Sequence, residues 1–222
     1  MINEIIILLR REIEICFKNL STAVSFCCFF CISLLIFIFS LGAGVLEIKG
    51  IYNSIIWVIL IFSMMLISEN FIIDDHNDGS LKELQFLGYP EELVVFCKSF
   101  VMWIMIVIPT ILLIPIFSLF FNLSFSECIN LFISVVLASP SLTLISVVAS
   151  LFSIQLRRNK IIQFIVVIPF YLPVIIFGTH ANTLTLASDE AVNNFLILIG
   201  IFFITLPVCL IVSKLILKEI NK

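Results

Sequence analysis

The sequence predicts an all-α integral membrane protein, with six transmembrane helices behind an N-terminal amphipathic interfacial helix. Three observations carry that prediction. Apolar residues make up 62% of the 222 residues and charged residues only 12%, where a soluble domain holds roughly half and a quarter. Six apolar runs are each long enough to cross a bilayer, which takes about 20 helical residues. The basic residues are also distributed unevenly around those runs. The net charge of -3 says little about partners, because in a membrane protein the positions of Lys and Arg carry the information. Nothing points to nucleic acid, and the expected surroundings are membrane lipid.

Residues 1–20 form the first region. Asn3, Glu4, Arg10, Arg11, Glu14 and Lys18 recur close to a helical period, and apolar residues fill the other face. That pattern predicts a helix lying on the membrane surface. A cleaved signal peptide is disfavoured, because the following apolar run is too long and the first positive charge arrives only at Arg10.

Residues 21–222 form the permease-like region. Its apolar runs are Ser21–Val45, Ile51–Ile73, Leu93–Phe121, Phe125–Ile154, Ile161–His180 and Asn194–Leu217. Pro109, Pro115, Pro140, Pro169, Pro173 and Pro207 fall inside them. Each proline removes a backbone hydrogen bond, which membrane helices tolerate when neighbouring groups compensate. Pro169 and Pro173, one turn apart, are candidate kink positions. The seven cysteines lie within or beside apolar runs, so packing rather than a disulfide framework is expected, Cys28-x-x-Cys31 included.

Eleven of the twelve Lys and Arg residues, all but Lys49, fall on one side of this arrangement. Arg10, Arg11 and Lys18 precede the first run, and Lys82 and Lys98 are assigned to the loop between runs two and three. Arg157, Arg158 and Lys160 separate runs four and five, and Lys214, Lys218 and Lys222 follow run six. The positive-inside rule then places both termini and the loop around residues 74–92 in the cytoplasm.

That loop belongs to the longest polar interval, Glu69–Glu92. Ser80-Leu81-Lys82-Glu83 fits the S-x-x-E capping box, which predicts a short helix starting at Leu81. Gly88 suits its left-handed end, and Pro90 suits the first position of the next helix, followed by Glu91 and Glu92. Leu81, Leu84 and Leu87 are expected to share a face. A helix of about two turns is marginal alone, so it needs something to dock against.

The sequence carries neither a G-x-x-x-x-G-K-[ST] phosphate loop nor an H-E-x-x-H zinc motif, so it is not expected to be an enzyme by itself. Glu69, at the end of run two, is either a candidate coupling residue, because an ionisable group there is costly, or an interfacial side chain reaching the headgroup region. Asp74, Asp75 and Asp78 beside His76 read as a solvated acidic turn rather than a metal site, since a hard cation needs about six oxygens. Such acids would suit basic residues on a docking subunit. His180 could ligate haem iron axially, but standing alone it reads as an interfacial residue.

The residues in order, Trp57 in I-I-W-V, Glu69, then D-D-H-N-D-G-S-L at 74–81, resemble the CcmB family. The resemblance continues through Ser139-Pro140-Ser141-Leu142, Leu156-Arg157-Arg158 and Ile168-Pro169 to Leu172-Pro173 and Ile176-Phe177. It implies the permease subunit of a cytochrome c maturation transporter with the ABC-2-type exporter architecture, in a bacterial inner membrane. It further implies a separate ATP-binding-cassette ATPase, CcmA-like, which would hold the ATP, and a second copy of this chain. Other maturation membrane subunits and a haem chaperone would complete the assembly. Haem is then a candidate cargo rather than a bound cofactor, and no metal or cofactor site is expected on this chain. The expected ATPase-docking residues are Asp74, Asp75, Asp78, Gly79, Ser80, Leu81, Leu84 and Leu87, with Leu84 as the anchor in the ATPase groove. Whether ATP hydrolysis exports haem or releases the loaded chaperone stays open. The alternatives are an ATP-independent scaffold and an exporter of another substrate.

Overall fold

The computed structural model describes residues 2–18, 21–41, 51–155, 160–183 and 188–220, and among them there are eight helices and no strand. These are α1 (Ile2–Lys18), α2 (Ser21–Leu41), α3 (Ile51–Asn77), α4 (Ser80–Phe86), α5 (Glu91–Phe120), α6 (Phe125–Gln155), α7 (Lys160–Thr183) and α8 (Asp189–Ile220). Each of the six predicted runs coincides with one long helix, several of which extend beyond the run. Five of them, α2, α3, α5, α6 and α8, are long and apolar enough to cross a membrane, and α7 contributes a shorter apolar stretch, Val167–Ala181. The six-span expectation is therefore met by five helices on length and composition among the described residues. The predicted connections at Lys49 and Arg157-Arg158 lie outside them.

Local chemistry accounts for the helix ends. An S-x-x-E box does form, but at Ser124 and Glu127. The Ser124 backbone N–H donates to Glu127 Oε2 at 2.8 Å, and the Glu127 N–H donates to Ser124 Oγ at 3.4 Å. Just upstream, Asn122 takes a left-handed φ of 48°. The Leu123 N–H reaches back to Ser118 O at 3.0 Å, closing the end of α5. At α8 the hydroxyl of Ser188 accepts from the Ala191 N–H at 3.2 Å, and Asp189 and Glu190 occupy the first turn. This cap starts α8 five residues before the predicted Asn194. Pro169 and Pro173 lie within the continuous helix α7, both on its exposed side.

Helix α6 is the axis of the bundle and packs against α3, α5, α7 and α8. Its buried face carries Ser134, Ser139, Ser141, Thr143, Ser146, Ser150 and Ser153 among aliphatic residues. Small hydroxyl residues let helices approach closely and bond across the seam, which is how membrane helices associate without a hydrophobic driving force. Tyr171 of α7 is hydrogen-bonded to Ser146 Oγ and donates to Leu142 O at 3.0 Å. Ser150 Oγ donates to Ser68 Oγ of α3 at 3.2 Å. Pro140 deprives the Val136 carbonyl of its helical partner. Ser139 Oγ donates to that oxygen at 3.3 Å, while Trp103 Nε1 of α5 donates to Ser139 Oγ at 2.9 Å.

The tightest approach joins α3 to α7. Trp57 is fully buried, and a methyl group placed on Gly178 would come 2.4 Å from its ring. One turn away on α3, Asn53 Nδ2 donates to Thr179 O at 2.8 Å. A residue without a side chain at 178 is what admits the indole between the two helices.

Candidate functional site

The candidate site is the hairpin end of the bundle, where α3, α4 and α5 meet α1. Helix α3 runs four residues beyond the predicted Ile73 to Asn77, so Asp74, Asp75 and His76 form its last turn rather than a loose acidic turn. Acids at a helix C-terminus oppose the backbone dipole and call for a compensating cation. Asp75 has one, the ammonium of Lys98.

Lys98 also overturns the loop assignment. It sits in the second turn of α5 and is only 1% exposed. Its Nζ is ion-paired with Asp75 and lies 2.9 Å from Glu12 Oε2 of α1. It also stands 5.6 Å from the centre of the Phe71 ring. Glu12, 2% exposed, receives Arg11 Nη1 on its other oxygen at 2.8 Å. Two cations and two carboxylates thus form a charge-balanced network across three helices with Lys98 and Glu12 at its buried centre, which is the condition under which buried charge is tolerated.

The same network reaches α4. Gly79, at φ 75°, turns the chain sharply between α3 and α4, and it rather than Ser80 holds the N-cap position. No side-chain cap bond is formed there, so the expected capping box at Ser80 and Glu83 is absent. Ser80 is already helical. Its hydroxyl donates backwards, to Asp75 O at 3.2 Å and Asp75 Oδ1 at 3.3 Å. The left-handed glycine points that hydroxyl at α3 and away from the N–H groups a capping box would satisfy. At the other end Gly88 takes φ 83°. The Tyr89 N–H donates to Leu84 O at 3.2 Å and the Gly88 N–H to Gln85 O at 2.9 Å, the paired bonds of a Schellman ending. Pro90 then caps α5, which begins one residue later than expected, at Glu91.

The direction of α4's apolar face is the main correction. Leu81 and Leu84 point into the protein and pack with Leu8 of α1 and with Val94 and Cys97 of α5, flanked by Tyr89. Leu84 is 2% exposed and anchors α4 to its own bundle. Leu87 parts from them at the helix end and is 67% exposed, beside Phe86 at 90%. Lys82 and Glu83 are exposed within α4, and Asp74 and Asp78 are exposed before its start. The side chain of Glu69 lies outside the described residues. His180 is exposed in the last turn of α7. Among the described residues no three metal-capable side chains converge, and Asp75 is turned from its acidic neighbours toward Lys98.

Glu12 was missed because it stands on the apolar side of α1, outside the period set by its polar neighbours. Lys98 carried a legible signal, since it interrupts the apolar stretch L-V-V-F-C-K-S-F-V-M-W, where an ionisable residue implies a partner. On the same side of the bundle, Lys214 near the end of α8 is ion-paired with Glu92 in the first turn of α5.

These features define a polytopic helical membrane protein whose elaborated end is a short helix held between two spans. The chain matches the family described as CcmB protein over residues 3–215, and it belongs to that family. It is 26% identical over 182 residues to "Heme exporter protein B" of Pseudomonas aeruginosa, covering 82% of this chain and 81% of that protein. Proteins of the same description from Haemophilus influenzae and Escherichia coli K12 are each 26% identical over 172 residues, covering 78% of both chains.

Proposed function

We propose that this protein is the permease subunit of an ATP-binding-cassette assembly in cytochrome c maturation, working with a separate ATPase and a second copy of itself. The relatives described as "Heme exporter protein B" support haem handling as the process served, by haem export or by release of a haem-loaded chaperone. On this reading the protein is a six-span ABC-2-type exporter permease of a bacterial inner membrane, α7 being the sixth span. The termini, α4 and the Lys214–Glu92 pair face the cytoplasm. Other maturation subunits and the haem chaperone complete the assembly, and ATP resides on the partner.

The observation that carries the proposal is the two-sided character of α4. Leu81 and Leu84 fasten it inward while Phe86 and Leu87 stand out into the surroundings. The sequence has no phosphate-binding loop of its own, and an exposed apolar tip with charged residues along the same short helix suits an external ATPase. Asp74, Asp78, Gly79 and Lys82 rim that contact, whereas Asp75, Ser80, Leu81 and Leu84 support it from within.

Phe86→Asp tests the reading. The variant is expected to insert and fold as the parent does, because Phe86 is 90% exposed. It should cut recovery of the ATPase in mild-detergent purification by about tenfold, within the range of an interface hot spot. Undiminished recovery, with normal cytochrome c maturation, would refute docking at α4. An ATPase that never co-purifies with the parent would favour an ATP-independent scaffold. Haem absorbance of the purified pair, with and without ATP, would show whether haem contacts this subunit.

A further inference from the structure

From the charge network we propose that α1 is a clamp on α4, with Glu12 and Lys98 as positioning residues for the coupling step. This rests on the docking reading above. The polar path is continuous. Glu12 of α1 accepts from Lys98 of α5 at 2.9 Å, Lys98 pairs with Asp75 in the last turn of α3, and Asp75 accepts from Ser80 in the first turn of α4. Beside it runs an apolar path, in which Leu8 of α1 shares one buried cluster with Leu81 and Leu84 of α4 and Val94 and Cys97 of α5.

A seven-residue helix has too few internal hydrogen bonds to hold its shape in water. Here α4 is fastened along one side and at its start, and both fastenings reach α1 by way of α3 and α5. An interfacial helix needs only an apolar face toward lipid. Nearly complete burial of Glu12 and Lys98 goes beyond that need, because each charge loses its water unless its partner stays in place. The arrangement makes α1, the end of α3, α4 and the start of α5 into one body. A push delivered at Phe86 then moves the spans instead of bending α4 alone. The groups facing Lys98 are Glu12 from α1 and Asp75 and Phe71 from α3, with Arg11 balancing Glu12 from outside.

Hydrogen–deuterium exchange on the full protein in its complex tests the clamp. Glu12→Gln is expected to speed amide exchange across residues 80–86 by about tenfold or more, with exchange in α6 unchanged, as local opening of one weakly held unit would produce. Glu12→Asp, which keeps the charge, should restore most of the protection. Glu14→Gln, which removes only the exposed pair with Arg10, should change nothing. Coupling is read separately. Glu12→Gln should retain the ATPase while cytochrome c matured per ATP hydrolysed falls about tenfold, the effect expected of a dislodged positioning group. Exchange across 80–86 that ignores Glu12→Gln overturns the clamp, whatever the ATPase does. If the parent never binds an ATPase, the docking reading falls, and the exchange result still decides whether α1 holds α4.

Discussion

Gly178→Ala probes the fold where the helices come closest. The added methyl would lie 2.4 Å and 2.5 Å from Cη2 and Cζ2 of Trp57 and 3.2 Å from Cε2, and the indole, fully buried, has no open space to retreat into. Overpacking of this kind costs about 1–3 kcal/mol and occasionally more. For a chain of this size that lowers the thermal midpoint by about 2–12 °C. Trp57→Phe removes the ring edge that the methyl meets, together with an indole N–H that has no hydrogen-bond partner among the described residues. The double variant should therefore be less destabilised than the sum of the two singles by at least about 1 kcal/mol, a coupling typical of residues in contact. Scanning fluorimetry of the four proteins in one detergent reads all three differences. Strict additivity, or an unchanged midpoint in Gly178→Ala, would mean that α3 and α7 are not seated as described.

Two further outcomes follow from the hairpin end. Lys98→Met leaves the buried Glu12 with Arg11 alone and the half-buried Asp75 without its cation, at a cost of about 3–5 kcal/mol. The midpoint of the same fluorimetric transition should fall by about 6–20 °C. Ser80→Ala should speed local exchange at the start of α4, because it deletes the bonds to Asp75, whereas Glu83→Ala should leave it within about twofold. Equal effects from Ser80→Ala and Glu83→Ala would restore the capping box that the geometry lacks.

The long helices were legible because their signal is redundant. About 20 apolar residues in a row admit few structures other than a span, and no single residue decides the outcome. Caps depend on two or three residues, so they were legible only in part. Ser80-x-x-Glu83 and Ser124-x-x-Glu127 offer the same spacing, yet only the second closes reciprocally. The difference lies in the residue before each serine. Gly79 takes the cap position itself and turns Ser80 toward Asp75, whereas Leu123 leaves Ser124 free to cap. The interhelical bonds were out of reach, because Tyr171 and Ser146 are 25 positions apart and nothing local in either residue names the other.

Lys98 marks where the positive-inside rule stops informing. That rule counts a lysine toward one side of the membrane, and it is indifferent to whether the side chain meets water or a carboxylate. Lys98 was therefore assigned to the correct flank of α5 and the wrong environment. Its environment is what determines how α4 can be used. An apolar face turned outward would have let a partner grip Leu84 directly. With Leu84 packed inward and Lys98 tying Glu12 to Asp75 behind it, the docking proposal narrows to Phe86, Leu87 and the neighbouring Lys82 and Glu83. On the docking proposal, a tip that small transmits force only if its base does not yield, and that base is the Glu12–Lys98–Asp75 network behind it.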